Sequence, residues 1–266
     1  MINNTVIELN FFQVLLGYLF IVIILIIIRL RGLNKEKVLI IASIRMTVQL
    51  VLVGFILTAI FEEPHPLISL SAVLLMIVFA IFTVFNKFKG LLSRPIKKVI
   101  IISLPVGGLV ALSYFLYMVI RIEPYYNPQY IIPITGMVIG NSMTGITLGI
   151  NSMIRRFKDQ KETIEQALIL GANEKQASHD IINESFDTAI MPTLNNMLGM
   201  GIVFLPGMMT GQILAGIAPN IAIMYQIGVM LAILGGVALS TYLFLILGYR
   251  TFFNEQVQLI STENGG

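Results

Sequence analysis

Apolar residues run along this chain in long blocks, broken by short clusters of Lys, Arg, Asp and Glu. A helix rises about 1.5 Å per residue, so roughly 20 apolar residues are needed to cross the ~30 Å hydrocarbon core of a bilayer. Seven stretches reach that length, at roughly 9–28, 38–61, 67–86, 99–120, 131–153, 191–214 and 221–248. The long polar interval between the fifth and sixth keeps a helical period. There Ile164, Ala167, Leu168 and Gly171 share a stripe, with Glu162, Glu165 and Gln166 off it. Gly171 predicts the end of one helix, and Asn173 with Gln176 predicts the start of another. On the second helix Ser178, Ile182, Phe186 and Ala189 take one side, and Asp180, Asn183, Glu184 and Asp187 the other. The pattern predicts an all-α polytopic membrane protein with about seven transmembrane helices. It forms a single transmembrane domain over 1–266, with two amphipathic helices inserted within 157–188.

Composition agrees: 56% of the 266 residues are hydrophobic and 12% charged, with a mean hydropathy of +0.88. That leaves too little polar surface to coat a water-soluble domain. The chain has no Cys and no Trp, which excludes disulfides and thiolate metal sites. Interfacial anchoring then falls to tyrosines such as Tyr125, Tyr126, Tyr130 and Tyr249. The start, "MINNTVIELN", lacks a basic leader and runs into a long apolar block, so it reads as an uncleaved first span.

Charge sets the orientation. Arg29, Arg31, Lys35 and Lys37 follow the first span. Lys87, Lys89, Arg94, Lys97 and Lys98 follow the third, and Arg155, Arg156, Lys158, Lys161 and Lys175 the fifth. Arg250 follows the last, and the opposite loops hold Arg121 alone. Basic loops stay in the cytoplasm, so the N-terminus is expected outside and the C-terminus inside. The same asymmetry accounts for the basic balance without any nucleic-acid partner, and Lys97-Lys98 is placed to touch anionic lipid.

The spans carry few polar groups. On the fifth, Gly136, Gly140, Thr144, Thr147 and Asn151 form one small and polar stripe. Asn141, Gly145, Leu148 or Gly149, and Ser152 form a second, and Ile139, Met143, Ile146 and Ile150 a bulky wedge. Both stripes contain G-x-x-x-G spacing, which lets helices approach closely. They serve either tight packing or a polar pathway, with Asn196 of the sixth span as a further polar contact. In the sixth span Pro206-Gly207 predicts a kink or break, with Gln212 beyond it. Arg45 and Gln49 share a face of the second span, where they either hold an anionic group or lock helices together. Glu62, Glu63 and His65 form a hard-ligand cluster at an outer loop, or simply a solvated proline turn.

Several mechanisms are excluded or weakened. No Asp or Glu lies deep in a span, although ion-coupled carriers generally need ionisable groups there. No G-x-x-x-x-G-K-[ST], H-E-x-x-H or G-x-S-x-G motif occurs, so the chain has no nucleotide-hydrolysing loop of that kind and does not read as an enzyme. His179, on the face of Ile182 and Phe186, is expected to be a packing residue.

Two sets of residues carry a resemblance. "EQALILG" (165–171) has the Glu-x-Ala-x-x-x-Gly form of the EAA loop of ABC-transporter permeases, with Gln166 replacing its second residue. Its later part is only loosely echoed by "AIMPT". Further, "RMTVQL" (45–50), "IPITGMVIGNSM" (132–143), "LGANEKQAS" (170–178) and "GIVFLPGMMTGQILAGIAP" (201–219) resemble the FetB family of ABC permeases over most of the chain. That family includes bacterial iron-export permeases and plant homologues tied to aluminium tolerance, one with a proposed nucleotide-sugar substrate. The resemblance implies a multi-pass permease of the cell inner (plasma) membrane that binds no cofactor itself. It further implies a cognate ATPase subunit that would consume ATP and dock at Glu165, Ala167, Leu168, Gly171 and Ala172, and one docking module per chain then implies a permease homodimer. Iron or another metal is the implied cargo. A nucleotide sugar or other small polar solute is an alternative, and a channel or structural membrane protein without an ATPase is the rival of another class.

Overall fold

The computed structural model describes residues 9–260, and those residues are mainly helical, without a β-strand. The start of the chain, with Glu8, lies outside the described residues. The chain divides into two compact units, Met1–Pro64 with Leu214–Gly216, and His65–Ile213 with Ile217–Gly266.

In the first unit α1 (Phe11–Gly17) and α2 (Leu19–Leu30) make one apolar run jointed at Tyr18. Gly32, at φ +62°, turns the chain into α3 (Glu36–Glu62). The Tyr18 hydroxyl hydrogen-bonds to that of Thr47, tying α3 to the joint. No side chain of α1, α2 or α3 is buried. Apolar surface of that extent belongs in lipid or against other helices.

In the second unit, prolines and polar caps start the helices. His65 and Pro66 open α4 (Pro66–Lys87), Ser93 and Pro95 open α5 (Arg94–Ser113), and Asn127 and Pro128 open α6 (Pro128–Asp159). Proline suits a first turn because that turn has no use for its missing N–H. α5 continues through a wider π-type turn, Tyr114–Ile120. Next come α7 (Lys161–Ile169), α8 (Glu174–Ala177), α9 (His179–Gly199), α10 (Gly207–Leu214) and α11 (Pro219–Gly248), which closes with a 3₁₀ turn, Tyr249–Phe252.

α11 packs against α5, α6 and α9, and α6 also against α4 and α9. Small residues set these distances. A Cβ on Gly107 of α5 would lie 2.3 Å from the Ser240 backbone nitrogen of α11, so the two backbones touch there. A Cβ on Gly145 would lie 2.8 Å from Val237, and one on Gly149 3.3 Å from Thr241. The bulky side chains of α6 fill the spaces between: Ile139, Ile146, Ile150 and Met153 are almost completely buried.

Six helical runs among the described residues are long and apolar enough to cross a membrane: Phe11–Leu30, Glu36–Glu62, Pro66–Lys87, Arg94–Ile120, Pro128–Asp159 and Pro219–Phe252. The seventh expected span is different. Its first part belongs to α9, which starts far upstream at His179, and its second part is α10. Between them Met200–Phe204 form a closed turn, with Gly201 at φ +83° and its N–H donating to the Phe204 carbonyl at 3.0 Å. The break therefore precedes Pro206-Gly207. The Pro206 carbonyl accepts the first bond of α10, from the Thr210 N–H at 2.9 Å, so the proline starts a helix instead of kinking one.

Candidate functional site

The amphipathic insertion folds as a helix, a glycine turn and two further helices. In α7 Ile164 is buried and Ala167 and Leu168 are half-buried, while Glu162, Glu165 and Gln166 are exposed. Gly171, at φ +93°, reverses the chain. Its N–H donates to the Leu168 carbonyl and the Ala172 N–H to the Ala167 carbonyl, both at 3.0 Å. That is the Schellman arrangement, which requires a left-handed residue just past the helix. A capping box follows: the Gln176 N–H donates to Asn173 Oδ1 at 2.9 Å, and the Asn173 N–H to Gln176 Oε1 at 3.0 Å. The turn is thus specified at both ends.

Buried Ser178 donates its hydroxyl to the Glu174 carbonyl and ends α8, and α9 then runs unbroken to Gly199. At 21 residues and about 1.5 Å per residue, α9 is roughly 30 Å long, with Pro192 inside it. It runs from the end of α8, which follows the glycine turn, to the break at 200–204. Ile181, Ser185, Ala189 and Thr193 are its buried stripe.

The polar face of α9 is only partly open, because one of its acids is paired within the chain. Glu184 forms an ion pair with Arg156 of α6. Arg156 Nε also donates to Ser152 Oγ at 3.1 Å, and the Ser152 hydroxyl lies 3.5 Å from Thr188 of α9. Arg156, Glu184 and Thr188 also line a cleft of about 720 Å³ between α6 and α9, with Leu148, Asp187 and Asn195 among its other walls. A second hollow of about 400 Å³ adjoins it and includes Asn151, Arg155 and Asp159. His179 is exposed, its Nε2 3.1 Å from Asn183 Nδ2, so it is not the packing residue expected from its helix face. The sequence alone did not single out Arg156, Glu184, Thr188 and Asn195 as one group. The signal lay in their spacing, since Glu184, Thr188, Met191 and Asn195 recur at three- and four-residue steps into an apolar stretch.

The two stripes of α6 separate. Gly145 and Gly149 of the second are packed against α9 and α11, where a methyl on either would meet Ala189 and Thr241. Gly136 and Gly140 of the first have open space where a methyl would go, and Thr144 and Asn151 beside them are exposed. Thr144 donates to the Gly140 carbonyl at 3.1 Å and Asn141 to the Met137 carbonyl at 2.8 Å, so both are satisfied along their own helix. Thr147 is buried and donates to the Met143 carbonyl at 2.7 Å. Asn196 is exposed on α9, Gly207 is exposed at the start of α10, and Gln212 carries a buried carbonyl oxygen without a hydrogen-bond partner.

In the first unit Arg45 and Gln49 line an outward hollow of about 540 Å³ with Val38, Ile41, Ala42 and Met46. Glu62 and Glu63 are exposed at the end of α3. His65 is exposed and its Nδ1 accepts the Leu67 N–H at 3.3 Å, as a helix cap. Among the described residues no three His, Asp or Glu side chains gather closely enough to hold a metal ion.

Fold and site together define a multi-pass all-α membrane protein with a polar helical insertion. Residues 11–253 match the family described as "Uncharacterised protein family (UPF0014)", and the chain belongs to that family. It is 34% identical to the Escherichia coli protein named "Probable iron export permease protein FetB", over 93% of this chain and 94% of that one. It is 33% identical to the Bacillus subtilis UPF0014 membrane protein YjkA, over 96% of this chain and all of the relative. The Arabidopsis thaliana protein ALUMINUM SENSITIVE 3 is 30% identical over 86% of this chain and 82% of its own. These matches bear out the resemblance to bacterial FetB and to plant aluminium-related proteins. No solved structure gives a significant match.

Proposed function

We propose that this chain is the membrane-spanning subunit of an ABC exporter, driven by a separate ATPase subunit and moving iron or another metal ion out of the cytoplasm. The carrying observation is the capped glycine turn at Gly171, joined through α8 and the long helix α9 to the helix break at 200–204. In this reading Glu165, Ala167, Leu168, Gly171 and Ala172 seat the ATPase on the cytoplasmic side. α9 carries its movement to the broken segment and to the exposed face of α6. ABC pumps use two ATPase subunits, and each chain offers one docking turn. The working unit is then a permease homodimer in the cell inner membrane, with twofold symmetry. Iron as cargo rests on the name of the E. coli relative.

A second reading, export of a nucleotide sugar or another small polar solute, is favoured by the neutral character of Thr144, Asn151, Asn195 and Asn196, all exposed. Amides and hydroxyls form a poor ligand set for a bare divalent metal but suit a hydroxyl-rich solute. The test is ATP-dependent uptake into inside-out vesicles holding permease and ATPase, offered Fe²⁺, Mn²⁺ or a nucleotide sugar. Metal uptake supports the first reading. Sugar uptake without metal uptake replaces the cargo and keeps the permease, and no ATP-dependent uptake of any of the three counts against the whole reading.

A further inference from the structure

The segment after α11 folds back beside α7, and the two enclose a groove of about 580 Å³. One wall is Glu165, Leu168, Ile169 and Ala172, and the other is residues 256–259. The first wall ends in two adjacent apolar residues, Ile169 at 84% and Leu170 at 88% exposure. They stand in a segment that also carries Lys161, Glu162, Glu165, Glu174 and Lys175, so they face water and not lipid. Ile169 lines the groove and Leu170 adjoins it, so both are available for contact with a partner.

The second wall is built, not loose. Asn254 Oδ1 accepts the N–H groups of Gln256 at 3.0 Å and Gln258 at 2.8 Å, and the Asn254 N–H donates to the Gln258 carbonyl at 2.9 Å. The Ile260 N–H donates to the Phe252 carbonyl at 2.8 Å. Phe252 in turn stacks on buried Phe157 at the end of α6, with ring centroids 4.2 Å apart, and Phe253 meets the same ring edge-on at 6.0 Å. The turn is therefore anchored to a membrane-spanning helix. At its tip Val257 is held at φ +58° and is exposed. A β-branched side chain disfavours that backbone region, so this is an unusual place to present an apolar group. Glu165 on the opposite rim is exposed, with Lys161 on the same helix 3.8 Å from its carboxylate.

We infer that the C-terminal turn is the second wall of the docking surface, and that the groove receives one apolar side chain of the ATPase subunit, with a basic residue beside it facing Glu165. This rests on the proposed reading of the chain as an ABC permease. It adds that the end of the chain, and not α7 and its turn alone, selects the partner.

The test measures binding of the purified ATPase subunit that restores transport in the vesicle assay to full-length permease in nanodiscs. Three variants are compared with wild type: Ile169→Asp, Val257→Asp and Val257→Gly. Asp and Gly both accept the left-handed backbone at 257, so neither threatens the fold. Loss of a central apolar contact should weaken binding roughly tenfold for Val257→Asp and several-fold for Val257→Gly. Wild-type affinity for both Val257 variants, with Ile169→Asp weakened, overturns the inference and leaves the ATPase reading intact. Wild-type affinity for all three overturns the inference and removes the ATPase from this face.

Discussion

Two glycine pairs with the same spacing have opposite surroundings. Gly145 and Gly149 are pressed against α9 and α11, whereas Gly136 and Gly140 have open space where a methyl would go. Sequence shows which residues share a face of a helix but not what stands opposite, so the two stripes looked alike. The turn at Gly171 was legible, because a positive φ and a capping box both leave local residue signatures. Contact energies follow the same division. Gly107→Ala would drive a methyl into the Ser240 backbone, and overpacking of that kind costs about 1–3 kcal/mol or more. Gly136→Ala, at an open position inside a helix, should be neutral or stabilise by up to about 1 kcal/mol. Thermal unfolding of both variants in detergent checks this, and equal melting would mean that α5 and α11 do not approach so closely.

At the scale of elements, α9 is where the reading from sequence parted from the structure. Hydropathy marks 191–214 as a span and the polar insertion as a separate module, yet one helix joins them and the break falls at 200–204. Proline at 206 was expected to be the breaker, but a proline also begins helices well, and Gly201 makes the turn before it. The Arg156–Glu184 pair, which fixes α9 to α6, joins residues far apart in sequence and had no local signal. Partly exposed pairs contribute little stability, up to about 1 kcal/mol, so the expected effect is on function. Arg156→Glu or Glu184→Arg alone should lower transport several-fold with little change in melting, and the double swap should restore much of it. Failure of the double variant to recover would mean that the pair does not set the position of α9. The open face of α6 permits a separate check, since the native chain has no Cys. Thr144→Cys and Asn151→Cys should react with a membrane-impermeant thiol reagent, and Ile139→Cys and Ile146→Cys should not. Protection of all four would leave the first stripe as helix packing.

For the whole molecule, composition and period alone pointed to the membrane class, and six of the expected apolar stretches are long helices. The source of energy is a different matter, because it lies outside the chain in the proposed account. The sequence places no acid deep in a span to couple an ion gradient, and the insertion reverses at Gly171, whose left-handed backbone suits glycine. In the proposed mechanism movement therefore enters at this turn. The most direct measurement is ATP-dependent Fe²⁺ uptake by inside-out vesicles containing the ATPase and either wild-type permease or Gly171→Pro. Uptake is expected with wild type and is expected to be lost with Gly171→Pro, at equal membrane insertion and with less ATPase bound. Uptake and ATPase binding unchanged by Gly171→Pro would contradict this mechanism.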